Sequence, residues 1–247
     1  MPFNPLNAVG IIGASIGLRG KHQREEVDDL GSCFAFRQPT HFLTASHCVP
    51  TDVKLARIVM PGAPAPIPVA SALYHPTADL ALVTIDAENL SYKAYWEPFW
   101  DLVGNWTMGE DFMAFGYPMD TVISEDPGPT PRLFRGHYQR FWPHKVGSFF
   151  YVAGELSIAS PSGLSGGPVF RPGAQVMVTG MVTSNLESTT YSEEVTERTR
   201  DGATVTTRLR KVVSYGVAVM LSGVADWLNQ FVPAHELQRP EPPAFQP

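Results

Sequence analysis

Ser165 stands among small residues in the stretch SPSGLSGGPVF, 160–170, a setting that suits an attacking hydroxyl. A serine hydroxyl is a weak nucleophile at neutral pH, so a base must take its proton as it attacks a carbonyl. Imidazole fits that task because its pKa lies near the working pH. Upstream, His47 lies in Thr44-Ala45-Ser46-His47-Cys48, and Asp79 opens Asp79-Leu80-Ala81-Leu82. A carboxylate such as Asp79 could hydrogen-bond an imidazole and favour its charged form. Asp86 lies past the apolar run and fits that place less well. Downstream of Ser165 the only histidine is His235, with Asp201 and Asp226 among the available acids.

The nucleophile stretch has two readings. Gly163-Leu164-Ser165-Gly166-Gly167 satisfies G-x-S-x-G, the elbow of α/β-hydrolases, which needs a helix after the serine and its acid and histidine later still. Pro168 and the β-branched residues that follow look like a strand instead. An order of Ser165, Asp226, His235 would also crowd the acid and base into the last helix and tail. With Pro168 included, G-x-S-G-G-P resembles the nucleophile loop of chymotrypsin-like, or trypsin-like, serine peptidases. The other motifs of that family, T-A-x-H-C and D-[LI]-A-L, occur at His47 and Asp79 in the family's order. The resemblance covers residues 30–232.

The resemblance implies an all-β fold of two six-stranded antiparallel β-barrels, with the site in the cleft between them and a C-terminal helix. It implies a serine endopeptidase acting through an acyl-enzyme on protein or peptide substrates, without cofactor or metal. The backbone N–H groups of Gly163 and Ser165 would receive the oxyanion. Ala159, six residues before the nucleophile, would floor the specificity pocket, with Ser160, Asn185 and Gly216 as its walls. Thr183, Ser184 and Asn185 would pair with the substrate backbone by β-augmentation. No Asp lies at the floor and no His in the walls, so an uncharged, apolar residue is expected at the cleaved position, P1. Leu164 stands where the digestive branch has Asp, and no I-V-G-G start is present, so activation by that branch's ion pair is not expected. Control is expected instead from the N-terminal segment, the 186–213 region or a regulatory partner. A catalytically silent peptide-binding protein and a serine esterase stay open as alternatives.

The elements that must position these residues are short β-rich runs such as VKLARIVM, LALVTI and VMVTGMVTS, separated by turn residues. Helical spacing is confined to SGVADWLNQFV, 222–232, where Val224, Trp227, Leu228 and Phe231 share a face. An N-terminal barrel over 1–105 would carry His47 and Asp79, a C-terminal barrel and helix over 106–232 would carry Ser165, and a Pro-rich tail would follow over 233–247. The aromatic-rich 88–106 reads as core or inter-domain packing. Around Asp201-Gly202, residues 186–213 read as an exposed hairpin ribbon. His41 and His75 read as surface or strand-end residues.

With 247 residues, 44% hydrophobic and 17% charged, the chain can bury a sizeable core. A formal charge of −6 argues against a nucleic-acid partner, and no run is long enough to span a membrane as a helix. The apolar start has no basic leader before Arg19, so it is expected to be a strand and the chain cytoplasmic. Cys33 and Cys48 are too few for a stapled scaffold or a zinc site. They bracket the strand and turn before His47, as a familiar disulfide of the resembled family does. A bridge over about 15 residues would stabilise by roughly 3 kcal/mol, and two buried thiols are the alternative in a reducing cytosol.

Overall fold

The computed structural model describes residues 4–19, 24–90, 99, 101–102, 104–119, 130–171, 177–198 and 204–233. The first sheet is built from β1 (Val9–Arg19), β2 (Arg24–Phe36), β3 (Gln38–Thr44), β4 (Ala56–Val59), β5 (Ile67–Pro68), β6 (Ser71–Tyr74) and β7 (Ala81–Thr84). Their order is β5-β4-β1-β2-β3-β7-β6. Period-two burial explains why such runs become strands: in β4, Ala56 and Ile58 point inward while Arg57 and Val59 are only partly covered.

The second sheet holds β8 (Asp101–Leu102), β9 (Asp111–Gly116), β10 (Arg132–Val146), β11 (Phe149–Leu156), β12 (Pro168–Phe170), β13 (Met177–Arg198) and β14 (Thr204–Met220). Its order is β12-β9-β10-β11-β14-β13-β8, and a further β12–β13 pairing joins six of these strands in a ring. β8 adds to β13 in parallel through Met177 and Val178.

The fold is therefore mostly β with a C-terminal helix, and while the second sheet closes on itself, the first does not among the described residues. That sheet has seven strands, and its end strands β5 and β6 do not pair with each other among the described residues. β5 is two residues long and ends in Pro68, which has no N–H to extend a ladder.

One buried cluster joins Phe34, Phe42 and Leu82 of the first sheet to Phe115, Phe170 and Met181 of the second. Phe99, from the aromatic-rich region, packs between them, 5.4 Å from Phe34 and 5.5 Å from Phe170. Residues 91–98 lie outside the described residues. A smaller cluster inside the second sheet includes Phe112, Tyr138, Leu156 and Leu164.

At the C-terminus a 3-10 turn (Leu221–Val224) leads into α1 (Ala225–Phe231). Leu228 is fully buried and Val224 nearly so, while Phe231 stays 38% exposed and packs on Trp227, so the expected apolar face is only partly covered. Arg37 of the first sheet donates to Asn229 Oδ1 at 2.7 Å and to the Val232 carbonyl at 2.6 Å, which docks the helix end. β13 and β14 pair from Gly180↔Met220 to Arg198↔Thr204, with register shifts between Val182 and Ser184 and between Thr189 and Tyr191, forming a long two-stranded ribbon. The Asp201-Gly202 turn and residues 234–247 of the Pro-rich tail lie outside the described residues.

Candidate active site

His47 lies in a 3-10 turn (Ser46–Cys48) directly after β3. Asp79 lies in the loop between β6 and β7, which His75 shapes by accepting backbone hydrogen bonds from Thr77 and Ala78 at 3.1 and 2.9 Å. His75 is thus a loop-forming residue. Ala78 and Leu80, both fully buried, anchor the loop on either side of Asp79.

The result is a close pair, with His47 Nδ1 2.7 Å from Asp79 Oδ2. The other carboxylate oxygen accepts from Ser46 Oγ at 2.5 Å and from the His47 N–H at 3.2 Å. Burial pushes the Asp79 carboxyl upward, but hydrogen bonds from His47 and Ser46 and the nearby imidazolium charge outweigh it, so its pKa is lowered. The same Asp79 contact, with a second from the Cys48 side chain, pushes His47 up to about 10 against partial desolvation.

Ser165 is held from the second sheet. Leu164, fully buried in that sheet's core, anchors the turn immediately before it, an apolar role that explains why no acid stands there. The turn is closed by Leu164 N–H to the Pro161 carbonyl at 3.0 Å and Gly167 N–H to the Leu164 carbonyl at 2.9 Å. Gly166 has φ +85°, and a Cβ there would fall 2.0 Å from the Ser32 carbonyl. Gly163 has φ +88°, and its Cβ would fall 2.4 Å from the Tyr117 carbonyl. Both positions demand glycine.

Two N–H groups of this turn are left pointing outward. In a planar trans peptide the N–H lies opposite the carbonyl. The Ser162 carbonyl accepts from Met119 N–H at 2.8 Å, which turns the Gly163 N–H the other way. The Leu164 carbonyl, held by Gly167, does the same for the Ser165 N–H. Among the described residues neither N–H has an acceptor.

The Ser165 hydroxyl donates to the Thr183 carbonyl at 2.9 Å, and among the described residues no hydrogen bond links it to His47. Thr183 is the extra residue where the β13–β14 register shifts between Val182 and Ser184, a bulge that re-aims its carbonyl. Its own hydroxyl donates to the Val217 carbonyl at 3.2 Å.

The remaining expected pocket residues also converge. Ser160 N–H donates to Asn185 Oδ1 at 2.6 Å, and Asn185 Nδ2 donates back to the Ser160 carbonyl. This paired contact ties one wall to the other. Gly216 N–H donates to the Ile158 carbonyl at 2.5 Å, and Gly216 lies opposite Asn185 in the ribbon. Ala159 and Ser184 are exposed, whereas Ser160 is buried and its hydroxyl has no hydrogen-bond partner among the described residues.

Of the two states open to Cys33 and Cys48, a bridge or two buried thiols, the structure has the thiols: both residues are free and buried. Cys33 lies opposite Gly10 of β1 and interacts with its backbone, and burial pushes its thiol pKa up. The position facing Cys48 is Gly31, where a Cβ would fall 2.4 Å from the Cys48 sulfur. Cys48 instead donates to the Ser165 carbonyl at 3.7 Å. No motif in the sequence assigns a site role to Ser46 or Ser32. For Ser46 a signal existed, a hydroxyl adjacent to the base, whereas Ser32 reaches Gly163 across 131 positions.

Fold and site together define a class: a two-sheet β protein with a His–Asp pair from one sheet facing a glycine-flanked serine from the other. The profile of the trypsin-like peptidase domain matches residues 31–181, and the chain belongs to that family. Solved structures with the same fold include the active form of the Rv3671c protease from M. tuberculosis, at 16% identity and TM-score 0.58, covering 91% of this chain and 80% of that one. An HtrA-type protease, AlgW, solved with a decapeptide, aligns at 17% identity and TM-score 0.61, covering 93% of this chain and 65% of that one. The MamO protease domain from Magnetospirillum magneticum aligns at 16% identity and TM-score 0.56, covering 91% and 97%. No protein of curated function matches the chain in sequence.

Proposed function

We propose that the chain is a serine endopeptidase whose base, orienting acid and nucleophile are His47, Asp79 and Ser165. The observation that carries this reading is the 2.7 Å His47–Asp79 pair opposite a serine turn with two unclaimed N–H groups. Ser165 Oγ attacks the substrate carbonyl carbon while His47 Nε2 takes the hydroxyl proton. The oxyanion is received by the N–H groups of Gly163 and Ser165. His47 then gives the proton to the departing amine, the C–N bond breaks, and an acyl-enzyme forms. Water, deprotonated by the same imidazole, releases the acid and restores Ser165.

Substrate binding starts this sequence. A peptide pairing with Thr183, Ser184 and Asn185 offers a backbone N–H to the Thr183 carbonyl, the acceptor now held by the Ser165 hydroxyl. That exchange frees Oγ for His47. Ala159, Ser160, Asn185 and Gly216 line the P1 site, and no charged side chain stands among them, which supports an uncharged P1 residue. We read the two sheets as the two barrels of the family, divided near residue 105, with the outer ribbon over 186–213 as the contact for a regulatory partner. The free thiols support residence in a reducing compartment such as the cytoplasm.

A catalytically silent peptide-binding protein is the second reading, favoured by the Ser165 hydroxyl resting on Thr183. Fluorophosphonate labelling and turnover of a P1-varied peptide set separate the two. Labelling at Ser165 with peptide hydrolysis, both lost in Ser165→Ala, is expected. A folded wild-type chain that binds peptides and neither labels nor cuts would overturn the peptidase reading.

A further inference from the structure

Ser32, on β2 of the first sheet, is fully buried, yet its hydroxyl and its N–H both reach across to the serine turn and its support. Its hydroxyl donates to the Gly163 carbonyl at 2.7 Å and accepts from the Tyr117 N–H at 2.9 Å. Its N–H donates to the Ser165 carbonyl at 2.7 Å. Its carbonyl accepts from Thr44 Oγ1 at 2.8 Å, on the strand that leads into His47.

We infer that the Ser32 side chain is a positioning residue that holds the two oxyanion-facing N–H groups in place from across the sheet interface. The inference rests on the peptidase reading and extends it to a residue that touches no reacting atom.

Successive peptide planes carry the effect. Met119 N–H fixes the Ser162–Gly163 plane through the Ser162 carbonyl. The Ser32 hydroxyl fixes the next plane through the Gly163 carbonyl. With both planes held, Gly163 stays at φ +88° with its N–H outward, and the following turn, in which Gly167 holds the Leu164 carbonyl, keeps the Ser165 N–H outward as well. The same hydroxyl also holds Tyr117, two residues from Met119, so one oxygen steadies both supports. An alanine at 32 removes the donor to Gly163 and the acceptor for Tyr117, but keeps the backbone bond to Ser165. Glycine then has the freedom to let its peptide plane turn.

The test compares wild type, Ser32→Ala, Ser32→Cys and Ser165→Ala. Readouts are kcat and KM on a peptide substrate, Ki for a peptidyl boronate that forms a tetrahedral adduct, and the amide NMR signals of Gly163 and Ser165. For Ser32→Ala, kcat is expected to fall about 10- to 100-fold, since displaced catalytic groups cost up to about that much. KM should stay within about threefold, and boronate affinity should fall with kcat. Ser32→Cys, which keeps a weak donor in a similar shape, should lie between, and it carries the test if Ser32→Ala does not fold. A folded Ser32→Ala protein with unchanged kcat, or with only KM altered, overturns the inference. Failure of the peptidase reading appears separately, as a wild type no more active than Ser165→Ala. In that case the amide signals decide: shifts at Gly163 and Ser165 in Ser32→Ala support the positioning role, and unchanged signals overturn it.

Discussion

At the scale of single residues, the charge state of His47 controls when the proposed base is available. The Asp79 carboxylate and the Cys48 side chain push its pKa up to about 10. The ring is 48% exposed, so water screens part of that effect. The ascending limb of kcat/KM therefore lies above the ordinary imidazole value of 6.5. Activity should still be climbing at about pH 8, where an unperturbed histidine would have reached its plateau. Cys48→Ala removes one of the two contacts and moves the limb to lower pH; a pH–rate profile that levels off by about pH 7.5 in wild type and does not move in Cys48→Ala would defeat this account. The same pair links folding to pH. Asp79, lowered from 3.8, stabilises above that value and loses its contribution as pH falls through its folded-state pKa. His47 contributes fully below 6.5 and loses its contribution as pH rises toward about 10.

At the scale of elements, the helix α1 is short and depends on its docking. Seven residues are too few to be stable alone, and Phe231 leaves part of its apolar face uncovered. Arg37 compensates by donating to Asn229 and to the Val232 carbonyl from a buried position. Arg37→Ala should lower unfolding free energy by about 3 kcal/mol, because a charged donor is lost and a buried carbonyl is left without it. Chemical denaturation measures this directly, and a change below about 0.5 kcal/mol would show that the helix is held by packing alone. Local patterns made several elements legible from the chain: β-branched runs, the Asp201-Gly202 ribbon and the apolar spacing through Leu228. The motifs around His47 and Asp79 also identified which two side chains meet, because each motif sits beside a strand end. What escaped were contacts between distant positions. Gly31, not Cys33, faces Cys48: the two stand two residues apart on one face of β2, and only the folded position of the turn after β3 decides which of them it meets. Likewise, the bulge at Thr183 follows from how β13 pairs with β14, and the Ser32 hydroxyl acquires its role only when the two sheets are packed.

At the scale of the whole molecule, the site exists only while both sheets are folded against each other. His47 and Asp79 hang from loops of the first sheet and Ser165 from the second, joined by Ser32 N–H to the Ser165 carbonyl. A second link away from that contact runs from Phe150 N–H to the Thr77 carbonyl at 2.6 Å. The main buried cluster crosses the same boundary, so separating the sheets would expose Phe34, Phe99, Phe115 and Phe170 together. Burial of one such ring contributes roughly 1.5–3 kcal/mol, so several exposed at once are comparable with the whole stability of a domain. The sheets should therefore unfold in one step, and the chain supplies a separate reporter for each. All five tryptophans lie at position 96 or later, whereas both cysteines lie in the first half. In a variant with Trp96 and Trp100 replaced by Phe, the fluorescence of Trp106, Trp142 and Trp227 follows the second sheet and the helix, and reaction of the buried Cys33 and Cys48 thiols follows the first sheet. In a urea titration the two signals and peptide turnover should share a midpoint. If the thiols become reactive at clearly lower urea than the fluorescence change, the first sheet opens alone and the shared core does not couple them. Coincident curves would mean that a substitution deep in either sheet reaches Ser165 through the fraction of folded molecules, while Ser32→Ala acts within the folded state.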